Sequence, residues 1–140
     1  MTAHIPQIDS NVPHGVFVYG TLMRGFRFHR IAQDAGLIQV EKGLLDEHDL
    51  YDLSRGYPAI VSGTGSVKGE FMTFVDLNDA LVPLDQLESL GEEYERVCCS
   101  VKLVDPFQDE RRAWVYRYPS LEAVIAARGT RIPSGRYGSD

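Results

Sequence analysis

The strongest constraint on the fold is a strictly alternating segment in the second half of the chain. Between Tyr94 and Val104, one face carries polar residues such as Arg96 and Lys102. The other face carries Val97, Cys99, Val101 and Leu103. A period of two is typical of a strand with one buried face. Residues 112–118 have a second strand pattern, and the segment 105–109 can join the two. The pattern therefore predicts an antiparallel hairpin.

The rest of the chain also reads mainly as strands. These are predicted over 16–19, 37–45, 48–53, 57–61 and 67–75, with a turn at 62–66 and a bulge or close approach at Gly69. Short helices are predicted over 26–35, closed by Gly36, and over 121–127, between a Ser120 cap and Gly129. A third should start near residues 80–82, because proline at position 83 suits a first turn, and should end by Gly91. Few crossover helices separate the strands, so we expect an α+β protein with a mostly antiparallel sheet that can close into a barrel.

Length and composition fit one globular domain. The chain has 140 residues, of which 44% are hydrophobic and 24% charged. Residues 1–15 contain few large apolar side chains, so we expect a flexible leader followed by a single domain over 16–140.

Charge and cysteine usage narrow the partners and the compartment. A net charge of −6 argues against a nucleic acid or an anionic membrane as partner, and no apolar run reaches membrane-spanning length. The adjacent Cys98 and Cys99 should point to opposite faces of a strand, so they form no structural disulfide. We therefore expect a cytoplasmic protein.

The first predicted strand ends in a loop that can bind an anion. The apolar run Val16–Tyr19 leads into Gly20, Thr21 and Leu22, with Gly25 beyond. Such a junction can present several backbone N–H groups to a carboxylate. Most strand–glycine–loop junctions are only turns, so the interpretation depends on a chemical partner elsewhere in the chain.

Glu88 is the best candidate for that partner. It continues an apolar stripe formed by Leu77, Leu81 and Leu84 at helical spacing, which places it toward the core near a helix C-terminus. Burial and the helix dipole both raise the pKa of a carboxylate there, as a general base requires. The alternative, a glutamate at the edge of the stripe that reaches water, fits the spacing equally well.

Other candidate sites fit poorly. Residues 63–69 lack the spacing of a phosphate loop and precede a strand. Residues 46–49 are of metal-ligating types, but neighbours on an extended chain point apart, so we expect a solvated loop and no metal site. Glu92, Glu93 and Glu95 are interpreted as a solvated charge cluster. Tyr19, Tyr94 and Tyr137 can bring hydroxyls to a pocket.

Seven short motifs, taken in order, resemble the gamma-glutamylcyclotransferase-like family, especially the branch of gamma-glutamylamine cyclotransferase and its small bacterial relatives. They span residues 16–137 and are Val16–Leu22 with Gly25 and His29, Tyr57–Val61, Val67–Glu70, Leu84–Glu88, Tyr94–Val97, Ala113–Tyr116 and Ser134–Tyr137. The resemblance implies a small mixed, mostly antiparallel β-barrel flanked by short helices. Two positions depart from the family pattern: Ser89, where glycine is frequent, and Arg136, where an acid is usual.

The resemblance also implies a reaction on a small gamma-glutamyl substrate. The substrate's α-amino nitrogen attacks its own γ-carbonyl and expels an amine, leaving 5-oxoproline, with no cofactor or metal. In this scheme Glu88 is the acid/base, the loop Tyr19–Leu22 holds the glutamyl group through Gly20 and Thr21, and Tyr94 and Tyr137 border the pocket.

Two other functions remain open at this point. One is a binding or regulatory module that holds a gamma-glutamyl or other small carboxylate ligand without turnover. The other is an amide hydrolase in which the same glutamate activates water. The sequence gives neither the leaving amine nor the oligomeric state.

Overall fold

The computed structural model describes residues 12–88, 91, 93–104 and 109–138, so most of the predicted leader and the 105–108 connection lie outside it. The strands are β1 (Gly15–Val18), β2 (Leu37–Asp52), β3 (Pro58–Phe74), β4 (Glu95–Leu103), β5 (Glu110–Arg117) and β6 (Thr130–Arg131). The helices are α1 (His29–Asp34), α2 (Leu77–Leu87) and α3 (Leu121–Ala126). No helix in these described ranges has the length and apolar character needed to cross a bilayer.

Five of the strands close into a barrel. The order β3-β1-β5-β4-β2 is closed by the pairing of β2 with β3, and β6 pairs with the far end of β2. Every pairing is antiparallel except that of β1 with β5. The expected α+β architecture, a mixed and mostly antiparallel barrel with short flanking helices, is confirmed.

The long hairpin β2–β3 differs from the prediction. Segments 37–45 and 48–53 form one strand with an irregularity between Asp46 and His48, where Glu47 has a φ of 63°. The predicted turn at 62–66 is wrong, because β3 runs straight through it. The glycines there serve another purpose. A Cβ on Gly63 would overlap Asp49 Oδ2, and one on Gly65 would lie 2.6 Å from Asp49 Oδ1. They make room for a carboxylate that crosses the strand and accepts the Gly65 N–H at 2.9 Å.

Two hydrophobic cores share the sheet. The barrel interior is packed with Phe17, Leu45, Leu50, Ile60, Val67, Phe71, Val101, Leu103, Ala113 and Val115. Val97 and Cys99 pack against it, which confirms the apolar face predicted for β4. The second core lies between the outer sheet face and the helices, and includes Val16, Met72, Leu81, Leu84 and Val124. The close approach predicted at Gly69 is confirmed, since a Cβ there would overlap the Val18 carbonyl oxygen.

Helix α2 begins earlier than its sequence suggests. The Asp76 side chain accepts the Asp79 N–H at 3.0 Å, which caps the helix before Leu77. The predicted start near 80–82 is therefore wrong, and Pro83 lies inside the helix. The helix also ends before Gly91, with Glu88 as its C-cap. In α3 the Ser120 cap is confirmed by its bond to Ala123 N–H at 3.1 Å, but Arg128, with a φ of 61°, takes the left-handed position instead of Gly129.

Candidate functional site

A cleft opens where β1 ends, between the loop that follows it and the end of α2. It is lined by six of the seven residues singled out in the sequence, namely Tyr19, Gly20, Thr21, Leu22, Glu88 and Tyr94. The remaining lining residues are Phe17, Val18, Tyr57, Pro58 and Tyr116. The cleft therefore joins elements that are up to about 100 positions apart in the chain, as the Tyr19–Tyr116 separation of 97 illustrates.

The loop after β1 is held by its carbonyl groups. Gly20 O accepts Met23 N–H at 3.1 Å, and Thr21 O accepts Phe28 N–H at 2.9 Å. Leu22 O lies 2.9 Å from His29 Nδ1. By contrast, the N–H groups of Gly20, Thr21 and Leu22 find no acceptor within the described part of the chain. Since these residues are buried and buried N–H groups normally have a partner, the loop is suited to an oxyanion ligand.

Gly20 is required at its position by close packing. A Cβ there would lie 2.7 Å from both Cγ and Cδ of Pro58. Pro58 begins β3 and also lines the cleft. The loop can therefore approach the sheet this closely only if residue 20 has no side chain.

Glu88 stands at the C-terminus of α2 and is partly buried in the cleft wall. Its backbone N–H still donates to Leu84 O at 3.0 Å, so its orientation is tied to the helix. Burial raises the pKa of the Glu88 carboxyl from 4.5 to about 7, and the nearby Glu93 carboxylate adds to the rise. A carboxyl with this pKa exchanges protons readily near neutral pH.

Glu93 does not belong to a solvated cluster, contrary to the sequence interpretation. Its two oxygens accept the Tyr57 hydroxyl at 3.0 and 3.2 Å. It lines an outer extension of the cleft together with Arg27, Phe28 and Leu87. Glu95 is also paired, with Arg117 Nε at 2.8 Å, whereas Glu92 lies outside the described residues.

Tyr19 and Tyr94 contribute ring walls to the inner cleft more than free hydroxyls. Tyr19 OH donates to Tyr116 O at 2.6 Å, and Tyr94 OH donates to Pro58 O at 2.5 Å. Burial raises the pKa of both Tyr19 and Tyr94, so they stay neutral. Their hydroxyl bonds fix the shape of the cleft.

Tyr137 does not reach the cleft wall. Its ring packs against Phe26, with 5.6 Å between centroids. Its Cδ2 lies 4.0 Å from where a Gly20 Cβ would be. Tyr137 therefore packs beside the loop, and it is not among the residues that line the inner cleft.

Sequence reasoning missed Tyr57 and Tyr116 as cleft residues. Both belong to motifs that carried the family resemblance, but no periodicity separates them from the other tyrosines of the chain. The place of Tyr116 follows from strand pairing, because it lies opposite Arg96 and its carbonyl reaches Tyr19. Tyr57 directly precedes β3, and its hydroxyl donates to Glu93.

The segment 46–49 is part of β2, not a solvated loop. Asp46 pairs with Lys102 Nζ at 3.0 Å and accepts Ser66 OH at 2.7 Å. Within the described ranges, no three side chains of metal-ligating type come together.

Comparison with known proteins gives a consistent picture. Residues 16–139 match the family described as "Gamma-glutamyl cyclotransferase, AIG2-like". A Vibrio cholerae protein named "Putative gamma-glutamylcyclotransferase" is 41% identical over 106 residues, covering 75% of this chain and 82% of its own length.

Solved structures show the same fold. An AIG2-like protein of Mus musculus has a TM-score of 0.69 at 21% identity, covering 91% of this chain and 89% of its own. The Escherichia coli protein YtfP has a TM-score of 0.60 at 29% identity, covering 89% of this chain and 96% of its own.

Proposed function

The chain belongs to the gamma-glutamyl cyclotransferase, AIG2-like family, and from that premise we propose that it converts a gamma-glutamyl amine or amide into 5-oxoproline and a free amine. One observation carries the proposal. A carboxyl whose pKa is raised to about 7, that of Glu88, lines the same cleft as the Gly20–Leu22 loop.

Substrate binding is assigned to the loop. The N–H groups of Gly20, Thr21 and Leu22 would donate to the α-carboxylate of the glutamyl group. Tyr19 and Tyr94 would close on its methylene carbons, because their hydroxyls are held by backbone carbonyls and their rings face the cleft. A glutamyl group bound in a curled conformation brings its α-nitrogen next to its γ-carbonyl, which lowers the entropic part of the barrier.

The proposed chemistry needs one proton carrier. The ionised Glu88 accepts a proton from the substrate's α-ammonium, and the freed nitrogen then attacks the γ-carbonyl carbon. A C–N bond forms to close the five-membered lactam, and the original amide C–N bond breaks. Glu88 returns its proton to the departing nitrogen. The second proton that the ring nitrogen loses on closing the lactam also passes to the departing amine, which leaves as an ammonium ion, so the enzyme ends in its starting state. Loop N–H groups not engaged by the carboxylate can stabilise the oxyanion that develops on the carbonyl.

This scheme requires no metal or cofactor, because the nucleophile belongs to the substrate. We also propose a cytoplasmic location, which is supported by the lack of a disulfide at Cys98 and Cys99.

The test is a 5-oxoproline release assay on a panel of gamma-glutamyl compounds, run with the unmodified protein and with Glu88→Gln. We expect release by the unmodified protein and a loss of about 10²–10⁴-fold in kcat for the variant. Glu95→Gln serves as a matched control, since Glu95 pairs with Arg117 and is absent from the cleft lining.

The assay also separates the other functions. Glutamate in place of 5-oxoproline as the product would indicate an amide hydrolase. Binding of gamma-glutamyl compounds without release of either product would indicate a binding module. An unaltered kcat in Glu88→Gln would refute the assigned role of Glu88.

A further inference from the structure

We propose, on the basis of the function assigned above, that Asp85 and Tyr116 form a joint that holds the Glu88 carboxylate in a fixed position relative to the substrate loop. Neither residue is assigned a chemical step. Both act as positioning residues.

The first half of the joint fastens the end of α2 to the sheet. Asp85 lies three residues before Glu88, so the two are neighbours on the helix surface. Asp85 Oδ1 accepts the Tyr116 hydroxyl at 2.5 Å. Arg96 Nη2 donates to Asp85 Oδ2 at 3.3 Å, and its Nε lies 3.0 Å from Oδ1. The helix end is thereby bound to both β4 and β5.

The second half of the joint fastens the substrate loop to the same residue. The carbonyl oxygen of Tyr116 accepts the Tyr19 hydroxyl at 2.6 Å, and Tyr19 is the first residue after β1. Tyr116 itself lines the cleft. One residue of β5 thus bonds to both walls of the cleft, through its hydroxyl on one side and its carbonyl on the other.

The parts of the joint are themselves well supported. Arg96 and Tyr116 face each other across β4 and β5, and the Arg96 guanidinium lies 4.4 Å from the centre of the Trp114 ring. The Asp85 side chain is only 24% exposed. Its bonds are therefore shielded from water and are charge-assisted, which makes them stronger than ordinary surface contacts.

A joint is needed here because Glu88 lies where a helix normally frays. It follows the last residue of α2, and C-terminal turns lose their order easily without added contacts. A misplacement of about 1 Å at a reacting group can cost roughly 100-fold in rate. The Asp85–Tyr116 bond supplies the missing constraint one turn before the reacting carboxylate.

The test compares Asp85→Asn, Tyr116→Phe and the double variant in the 5-oxoproline assay. We expect each single change to lower kcat by about 10- to 100-fold with little change in KM, because the loop that binds the glutamyl group remains intact. The double variant should lose no more kcat than the more impaired of the two single variants, because both changes act on the same Asp85–Tyr116 bond. Asp85→Asn removes the charge of its acceptor, and Tyr116→Phe removes its donor. The pH at which the rate of the double variant falls on the acid side should stay near that of the unmodified protein. The changes alter the position of the Glu88 carboxylate and not its charge.

Asp79→Asn is the matched control, since it makes the same chemical change on an exposed position of the same helix. We expect its kcat to equal that of the unmodified protein. Thermal unfolding monitored by circular dichroism establishes that each variant is folded. Tyr116→Phe removes a single hydroxyl, so it stays informative if Asp85→Asn fails to fold.

A second readout does not depend on activity. The Glu88 N–H donates to Leu84 O, so its hydrogen exchange reports the order of the helix end. Folded Tyr116→Phe should exchange this proton at least several-fold faster than the unmodified protein and the Asp79→Asn control. The joint would be refuted if the exchange rate of the Glu88 N–H were unchanged in Tyr116→Phe. It would also be refuted if the loss of kcat in the double variant equalled the product of the two single losses. Absence of 5-oxoproline release from the unmodified protein would instead overturn the proposed function, while the exchange experiment would still decide the joint.

Discussion

Glu88 combines burial, which disfavours its charge, with a proposed task that requires the charge. Burial and Glu93 raise its pKa to about 7. As a base it must be ionised, so kcat/KM should rise as the pH passes through about 7 and level off above it. Steady-state rates between about pH 5 and 9 measure this profile. A rate already at its plateau near pH 5 would contradict the assignment.

The same shift has a consequence for stability. Because folding raises the pKa of Glu88 from 4.5 to about 7, the folded chain holds a proton that the unfolded chain has released in this interval. The ionised carboxylate therefore opposes folding increasingly as the pH rises through this window. Glu88→Gln has no charge to bury, so we expect it to raise the free energy of unfolding by about 1–3 kcal/mol at about pH 8. The gain should shrink toward zero near pH 5. Urea titrations at both pH values test this, and a destabilised variant at the higher pH would contradict it.

Glu93 sets part of the Glu88 pKa and is anchored by the Tyr57 hydroxyl. Glu93→Gln removes a like charge, so the acid limb of the rate profile should move to lower pH. The control Glu95→Gln removes a carboxylate that pairs with Arg117, and it should leave the acid limb of the rate profile unchanged. Identical limbs in the Glu93→Gln variant and the unmodified protein would show that the two carboxylates do not interact.

The candidate base could be predicted from the sequence, but its electrostatic neighbour could not. Glu88 continues a regular apolar stripe, which marks it as a candidate, although helical spacing is compatible with a side chain that faces either the core or water. Glu93 is held by Tyr57, 36 positions away, and no local pattern encodes that contact. The position of Tyr137 is not encoded locally either, because its neighbours Phe26 and Gly20 are more than a hundred positions away in the chain.

At the level of strands and helices, β3 uses glycine where another strand or side chain must pass closely. Gly69→Ala would drive a Cβ into the Val18 carbonyl and the Phe17 ring, and backbone cannot move aside easily. In Gly63→Ala the three atoms nearest to the new Cβ all belong to the Asp49 carboxylate, which can rotate. We therefore expect losses of about 3 kcal/mol and about 1 kcal/mol, respectively, in the free energy of unfolding.

Adding Asp49→Ala separates the two cases. It should recover part of the loss in Gly63→Ala and none in Gly69→Ala. Urea unfolding of the four variants measures this. Equal losses at the two glycines would show that close packing of the chain does not explain the sequence of β3.

Local pattern predicted the elements whose partners are near in sequence. Strand β4 followed from strict alternation, and the α3 cap followed from Ser120. The turn at 62–66 was misjudged because glycine favours turns in general, whereas here it accommodates Asp49 from the neighbouring strand. Helix α2 starts earlier than predicted because the Asp76 side chain caps it, while Pro83 is accommodated inside the helix.

For the whole molecule, the notable feature is that one closed sheet separates two cores. Phe17 lies inside the barrel, while Leu84 packs on the outer face, and both are fully buried. Because the sheet belongs to both cores, neither can unfold alone. Phe17→Ala and Leu84→Ala should each lower stability by about 2–5 kcal/mol while keeping one cooperative transition.

Coincident urea curves from far-ultraviolet circular dichroism and from fluorescence of the single tryptophan, Trp114, would establish the shared transition. Separate midpoints in Leu84→Ala would show that the helical layer melts independently. The closure itself was only partly predictable. The succession of strands along the chain indicated a mostly antiparallel sheet. The parallel pairing of β1 with β5 joins segments about a hundred residues apart, and no local pattern indicates it.

The C-terminal segment has a practical consequence for handling this protein. Gly135 O accepts Lys68 N–H at 2.8 Å, which lays the segment along β3, and Tyr137 and Gly138 end against Phe26 beside the Gly20 loop. An affinity tag or fluorescent fusion attached just after this point would begin beside the Gly20 loop. Attachment upstream of β1 suits assays and labelling better, because β1 begins at Gly15 and the cleft opens at the other end of that strand.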